Sequence, residues 1–297
     1  MVLENLRSTF FHLRFNISLA FLPIFLWGYA LTEADISRDF IYGLLVLHFL
    51  IYPAINGVYA YFDSRKGVVY GLRNVKPASK FTLIISLVLL FVGVYLSTKI
   101  NTAYFGVVIS LIVLSFLFSY PPTGIKTKPF YAILTLALTY GLLGFIAGWV
   151  CAFDLKSLLN PFSIGGALSS AGFAGGLYTL SLVYRISEDS NLTGSLFIEK
   201  LGSAATFKFS KIILLASGVI ATVVIAAKFT LYELIGVIIY FLFGFIGIER
   251  FEKNFYLQKE WQNYKPRTID KSNIGEINNY ICLTFVNQAF KNIPHMN

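Results

Sequence analysis

Three short polar stretches hold the residues of this sequence best suited to chemistry. NGVYAYFDSRKG carries Asn56, Asp63, Arg65 and Lys66, with Arg73 close behind. YRISEDSNLTG carries Arg185, Glu188 and Asp189, and SYPPTGIKTKP is a proline-stiffened turn bearing Lys126 and Lys128. Two separate acids among several cations suit a metal–phosphate ligand. Carboxylate and amide oxygens hold Mg2+, which keeps several of its waters and contacts phosphate oxygens. Lys and Arg neutralise the remaining phosphate charge, Arg through paired hydrogen bonds. A solvated loop charge is the plainer reading, and it is preferred for Lys76, Lys80, Lys208 and Lys211. Asp63 and Asp189 stand apart because each follows the end of an aromatic or apolar run, where a structural carboxylate has no task.

The elements that must position these residues are membrane helices. The chain of 297 residues is 56% hydrophobic and 17% aromatic but only 13% charged, about half the charge of an ordinary soluble domain, with a mean hydropathy of +0.69. A bilayer-crossing helix needs about 20 mostly apolar residues, and such runs occur near 15–32, 40–61, 81–98, 102–119, 130–150, 164–184, 210–227 and 230–248. The expected fold is therefore an all-α polytopic bundle of eight spanning helices, one membrane-embedded domain over residues 1–297. A ninth run near 274–290 is too polar to span alone and reads as a reduced or peripheral helix. The polar segment 250–297 reads as an interfacial tail, with the stretch from Glu249 to Lys271 as a surface helix.

Eight spans also sort the charges. Four basic residues (Arg38, Lys99, Lys156 and Lys228) fall on one side, and the remaining twenty of the 24 fall on the other. By the positive-inside rule the N-terminus and the loops holding the three polar stretches are cytoplasmic. The same rule accounts for the net charge of +9 without nucleic acid as a partner. Cys151 and Cys282 have neither metal-ligand nor disulfide-framework spacing and read as structural. The three histidines are scattered and form no metal set.

In order and sidedness the polar stretches resemble the motifs of the UbiA superfamily of intramembrane prenyltransferases. Asn56-Gly-Val-Tyr-Ala-Tyr-Phe-Asp63 with Gly71-Leu72 is similar to the first motif of a divergent branch. Val183-Tyr-Arg-Ile-Ser-Glu-Asp189 is similar to that branch's second motif, and Tyr120-Pro-Pro with Lys126 and Pro129 to the family's Tyr-x-Pro-Pro loop. The resemblance implies transfer of a prenyl group from a prenyl diphosphate to a lipophilic, often aromatic, acceptor within the membrane lipid. It implies Asp63 and Asp189 as the catalytic acids, Mg2+ held by Asp63, Glu188, Asp189 and Asn56, and the diphosphate held by Arg65, Lys66, Arg73, Lys126, Lys128 and Arg185.

The sequence departs from the family's pattern. The family's first motif, an Asn and then two Asp residues at intervals of four, falls here on Tyr59, Asp63 and Gly67, and the paired Asp residues of its second motif fall on Arg185 and Asp189. An acid exchanged for a base changes the local charge by two units, and one such pair a few ångströms apart is worth about 4 kcal/mol at an effective dielectric near 20. Two Mg2+ ions are hard to hold beside Arg65, Lys66 and Arg185. One ion, or none with the cations themselves clamping the diphosphate, fits better. Three alternatives stand beside the transferase: a non-catalytic isoprenoid-binding or accessory protein, a prenyl-diphosphate cyclase or lyase, and, more distantly, a transporter. The last would need broken helices near the midplane. Gly165, Gly166, Gly172, Gly175 and Gly176 allow that reading, but small-residue packing between helices explains them more simply.

Overall fold

Among the described residues, eight helices long and apolar enough to cross a bilayer follow one another, over Asn5–Ala30, Arg38–Phe62, Lys80–Ser97, Thr102–Ser119, Phe130–Trp149, Pro161–Val183, Gly202–Lys228 and Leu231–Tyr256. They coincide with the eight expected spans, and the chain is an integral, multi-pass membrane protein. The structure, a computed structural model, describes residues 2–62, 67–69, 72–75, 77–125, 128–188 and 196–264. The expected ninth helix near 274–290 lies outside the described residues.

The first span is built from α1 (Val2–Leu13), α2 (Phe15–Ala20) and α3 (Leu22–Ala30), broken at Arg14 and Phe21. The second joins α4 (Arg38–Leu45) and α5 (Tyr52–Phe62) through a π-helical stretch, Val46–Ile51. A short antiparallel hairpin, β1 (Gly67–Val69) with β2 (Leu72–Val75), leads into α6 (Lys80–Ser97). After α7 (Thr102–Ser119), the fifth span repeats the device of the second: α8 (Pro129–Leu136) and α9 (Gly144–Trp149) flank a π-helical Ala137–Leu143. The bundle closes with α10 (Pro161–Glu188), α11 (Leu196–Lys228) and α12 (Leu231–Tyr264).

Polar contacts confirm the alternation of the loops. On one face Asn101 caps α7, its Oδ1 accepting from the Tyr104 N–H at 2.7 Å while its Nδ2 donates to the Val150 carbonyl at 2.8 Å. On that face Lys228 pairs with Glu33 at 2.9 Å and donates to the Leu31 carbonyl, so it ties the first and seventh connections instead of standing as a loop charge. On the opposite face Thr9 of α1 meets Thr82 of α6 at 3.0 Å, and Phe62 at the end of α5 meets Tyr120 after α7 with ring centroids 6.0 Å apart. The second and fourth connections thus share the face of α1, as the charge count requires.

Within lipid no hydrophobic force drives helix on helix, so close packing and interhelical hydrogen bonds must hold the bundle. The glycine-rich α10 is unbroken, and its small residues form a seam with α11. Ser169 Oγ donates to the Ser217 carbonyl at 2.9 Å, Ser217 Oγ returns the bond to Ser169, and Ser210 Oγ donates to the Gly176 carbonyl at 2.7 Å. The expectation of packing, rather than a transporter-like break, is met in this helix. At Gly202 the backbone of α11 leaves the helical region with φ 79° and ψ 163°, a conformation open to glycine and few others.

Two expectations about single segments change. The stretch beginning at Glu249 does not form a separate surface helix: α12 runs through it to Tyr264. It is held there because Phe251, Phe255 and Tyr256 pack on Phe207 of α11 and because Glu249 and Glu252 both pair with Lys211. Lys211, expected as a solvated charge, is the cation of that interhelical cluster. Cys151 behaves as expected. It is buried beside Gly43, and burial pushes its thiol pKa well up, away from reactive thiolate character.

Candidate functional site

A cavity of about 210 Å³ opens in the half of the bundle nearest the second, fourth and sixth connections. Its wall is supplied in turn by Arg14, Ile17 and Phe21 of the first span, Ile55, Asn56 and Tyr59 of α5, and Ser115, Phe118 and Ser119 of α7. Leu136 and Tyr140 of the fifth span, and Ala174, Leu177, Tyr178 and Ser181 of α10, complete it. Apolar and aromatic walls with a few converging polar groups are the usual form of a small-molecule site.

The other half of the bundle is shut by glycines. A Cβ on Gly28 would fall on the Phe145 carbonyl, and one on Gly148 on the Phe25 carbonyl. The first and fifth spans therefore touch backbone to backbone in that half, and fully buried Phe25, Phe145 and Leu111 fill what remains. Toward the cavity, rings replace glycines between the same spans. Phe21 stacks on Tyr140 at 4.6 Å and Tyr140 on Tyr52 at 4.8 Å. Phe21 and Tyr140 of this stack form the floor of the cavity, and Tyr52 backs them.

The π-helical stretches bring these rings into place. In the second span His48 Nδ1 donates to the Ser18 carbonyl at 2.8 Å, and Ser18 Oγ donates to the His48 carbonyl at 2.7 Å. That reciprocal pair pins α2 to the π stretch immediately before Tyr52. In the fifth span the π stretch contains Tyr140 itself. Such insertions recur at functional sites.

Among the described residues Arg14 is the one charged side chain lining the cavity. Its backbone is left-handed, with φ 52° and ψ 51°, a conformation that costs a non-glycine residue about 1–2 kcal/mol. That turn ends α1, starts α2 and sets the guanidinium over the Tyr59 ring, 5.6 Å from its centroid. Sequence reasoning counted Arg14 only among the positive-side charges. The signal that marked it was a lone cation opening an otherwise apolar span.

The sequence-derived site residues fall in three groups. Asn56 lies in the cavity and is buried. Its Oδ1 accepts from Tyr140 Oη–H at 3.2 Å, and its Nδ2 faces the Leu13 carbonyl at 3.5 Å, so both ends of the amide are engaged within the protein. Lys128 is exposed before α8, 5.8 Å from the Tyr131 ring, and is not part of the cavity wall. Arg185 and Glu188 occupy the last turn of α10, and Arg73 lies on β2. Asp63, Arg65, Lys66, Lys126 and Asp189 lie outside the described residues. In sequence, Asp63 directly follows the end of α5 and Asp189 directly follows the end of α10, two helices that both line the cavity.

No cluster of three or more metal-ligating side chains occurs among the described residues. The described wall offers amide, hydroxyl and phenol oxygens but no carboxylate. The carboxylates that suit Mg2+ are those that follow α5 and close α10. The donor chemistry of the described wall thus does not fit a hard divalent ion on the floor.

No family model and no curated protein matches this sequence. Solved structures do match its fold. A UbiA homologue from Archaeoglobus fulgidus superposes with a TM-score of 0.61 at 17% identity, covering 96% of this chain and 98% of that one. The homologue bound to GPP and Mg2+ gives 0.60 at 16% identity, with the same coverage. A digeranylgeranylglyceryl phosphate synthase gives 0.59 at 15%, covering 95% of each chain. This chain superposes over nearly its whole length on nearly the whole of each of them. It has the UbiA fold.

Proposed function

We propose that the protein transfers a prenyl group from a prenyl diphosphate to a lipophilic acceptor drawn from the membrane. The observation that carries this reading is the cavity's polarity gradient: the Arg14 cation at the mouth, beside the ends of the two helices that Asp63 and Asp189 follow in sequence, and stacked aromatic rings at the floor. An amphiphile with a charged head and a branched apolar tail matches it end for end. Two findings on other proteins support the reading, since the fold's solved examples include one bound to GPP and Mg2+ and one bound to DMAPP and Mg2+.

Each group then has a task. Arg14 binds the diphosphate at the mouth, aided by the basic residues of the three polar stretches, Arg65, Lys66, Arg73, Lys126, Lys128 and Arg185. Asp63, Asp189 and Glu188 would hold Mg2+, which when bound neutralises the leaving diphosphate. Asn56 holds Tyr140 in place through the hydroxyl it accepts from, a positioning role and not that of a metal ligand. The apolar wall excludes water that would quench positive charge developing at the first prenyl carbon, and the faces of Tyr59 and Phe118, stacked 5.8 Å apart, can stabilise that charge.

The test is pyrophosphate release from geranyl diphosphate by the detergent-purified protein, with a panel of lipophilic acceptors. With Mg2+ we expect steady release; in EDTA the rate should fall by about tenfold, because the loss of a metal's several kcal/mol is partly offset by the cations that remain. The Asp63→Ala/Asp189→Ala variant in Mg2+ should behave as the wild type does in EDTA. Saturable binding with no release under any condition would replace the transferase by an isoprenoid-binding accessory protein, the reading that the basic residue at position 185 favours.

A further inference from the structure

We infer that the Phe21–Tyr140–Tyr52 stack is a chain-length stop, and that the donor this protein selects is short, of about ten carbons. The inference rests on the prenyl-diphosphate reading and adds the substrate class. From Arg14 to Phe21, and again from Tyr59 to Tyr52, the helices descend about 10 Å at the α-helical rise. The two descents run side by side, with Arg14 over Tyr59 and Ser18 bonded to His48 just before Tyr52, and end on the same stack. An extended four-bond isoprenoid repeat covers about 5 Å, scaled from the roughly 3.5 Å of three bonds in an extended peptide. Two repeats therefore reach the floor.

The floor is built to stay in place. Tyr140 is clamped on both ring faces by Phe21 and Tyr52, and its hydroxyl is fixed to Asn56. Beneath it, the Tyr52 hydroxyl packs against Gly144, 2.9 Å from where a Cβ would lie. Tyr140 is the ring whose removal lengthens the cavity, because packed walls close only partly around a deleted side chain.

The experiment measures binding of tritiated dimethylallyl, geranyl, farnesyl and geranylgeranyl diphosphates to the purified full-length protein, with pyrophosphate release followed in parallel. In the wild type, affinity should rise from five to ten carbons and be weaker by about tenfold at twenty, the scale of discrimination that a few apolar groups provide. Tyr140→Ala should remove that penalty, and Tyr140→Phe should keep the wild-type ratio of ten- to twenty-carbon binding. Should the alanine variant fail to fold, Tyr140→Leu and the wild-type series decide the matter. Equal or tighter wild-type binding of the twenty-carbon donor overturns the inference, as does an unchanged ratio in a folded Tyr140→Ala protein. A graded series without release sinks the transferase reading and keeps the floor. Release with a flat series does the reverse, and binding of none of the four removes both.

Discussion

Arg14→Ala is expected to weaken geranyl diphosphate binding by about 30-fold, the equivalent of a lost charge-assisted hydrogen bond of about 2 kcal/mol. Arg14 sits at the cavity mouth, held by a left-handed turn that few arginines adopt. Strain of this kind persists where the surrounding structure over-determines it, often at ligand clamps. Lysine should restore only part of the affinity, because an ammonium offers a point charge and not a planar fork. Arg14→Gly separates function from stability. It removes the cation but relieves the positive φ, so the melting temperature should hold or rise while binding falls as in the alanine variant. Melting temperature and affinity falling together in Arg14→Gly would mean that Arg14 is a strut of the α1–α2 junction and not a ligand.

The second large effect is structural. Gly148→Val is expected to destroy the bundle, leaving little monodisperse protein after detergent extraction. A side chain there meets the Phe25 carbonyl, and Gly28 faces the Phe145 carbonyl across the same contact. Backbone cannot swing aside as a side-chain tip can, so the two spans must separate. That costs more than the roughly 1–3 kcal/mol of ordinary overpacking. Gly106→Ala is the control, since nothing lies within 4 Å of a Cβ at that position; alanine should leave the melting temperature level or slightly higher, as helix propensity favours it. A Gly148→Val protein that melts with the wild type would show that the first and fifth spans do not meet there.

How the fold was legible follows from what each signal reports. Apolar runs and the sidedness of Lys and Arg report lipid and topology directly, and Lys80–Ser97 and Thr102–Ser119 matched their expected bounds to within one residue. The glycines of α10 were legible as packing because small residues are what adjacent membrane helices need. The site was legible only at its rim. Charges such as Asp63 and Arg185 stand out against an apolar background, whereas Tyr140 is one of 18 tyrosines and Phe21 one of 29 phenylalanines, and nothing local distinguishes a floor from a wall. Tyr140 becomes special through contacts with Phe21 and Asn56, far away in sequence. The π-helical stretches that aim it left no mark in the hydrophobic pattern. Lys211 was misjudged for a related reason: its partners, Glu249 and Glu252, lie on another helix.

In the proposed binding mode the cavity beneath the ends of α5 and α10 receives the prenyl chain. Photolabelling tests it most directly, using a geranyl diphosphate analogue with a diazirine at its far end, followed by peptide mapping of the irradiated protein. Labels are expected in the peptides holding Phe21 and Tyr140, removed by excess geranyl diphosphate. Labels confined to the lipid-exposed face of α12 around Ile239 and Phe243, or labels that geranyl diphosphate does not displace, would contradict it.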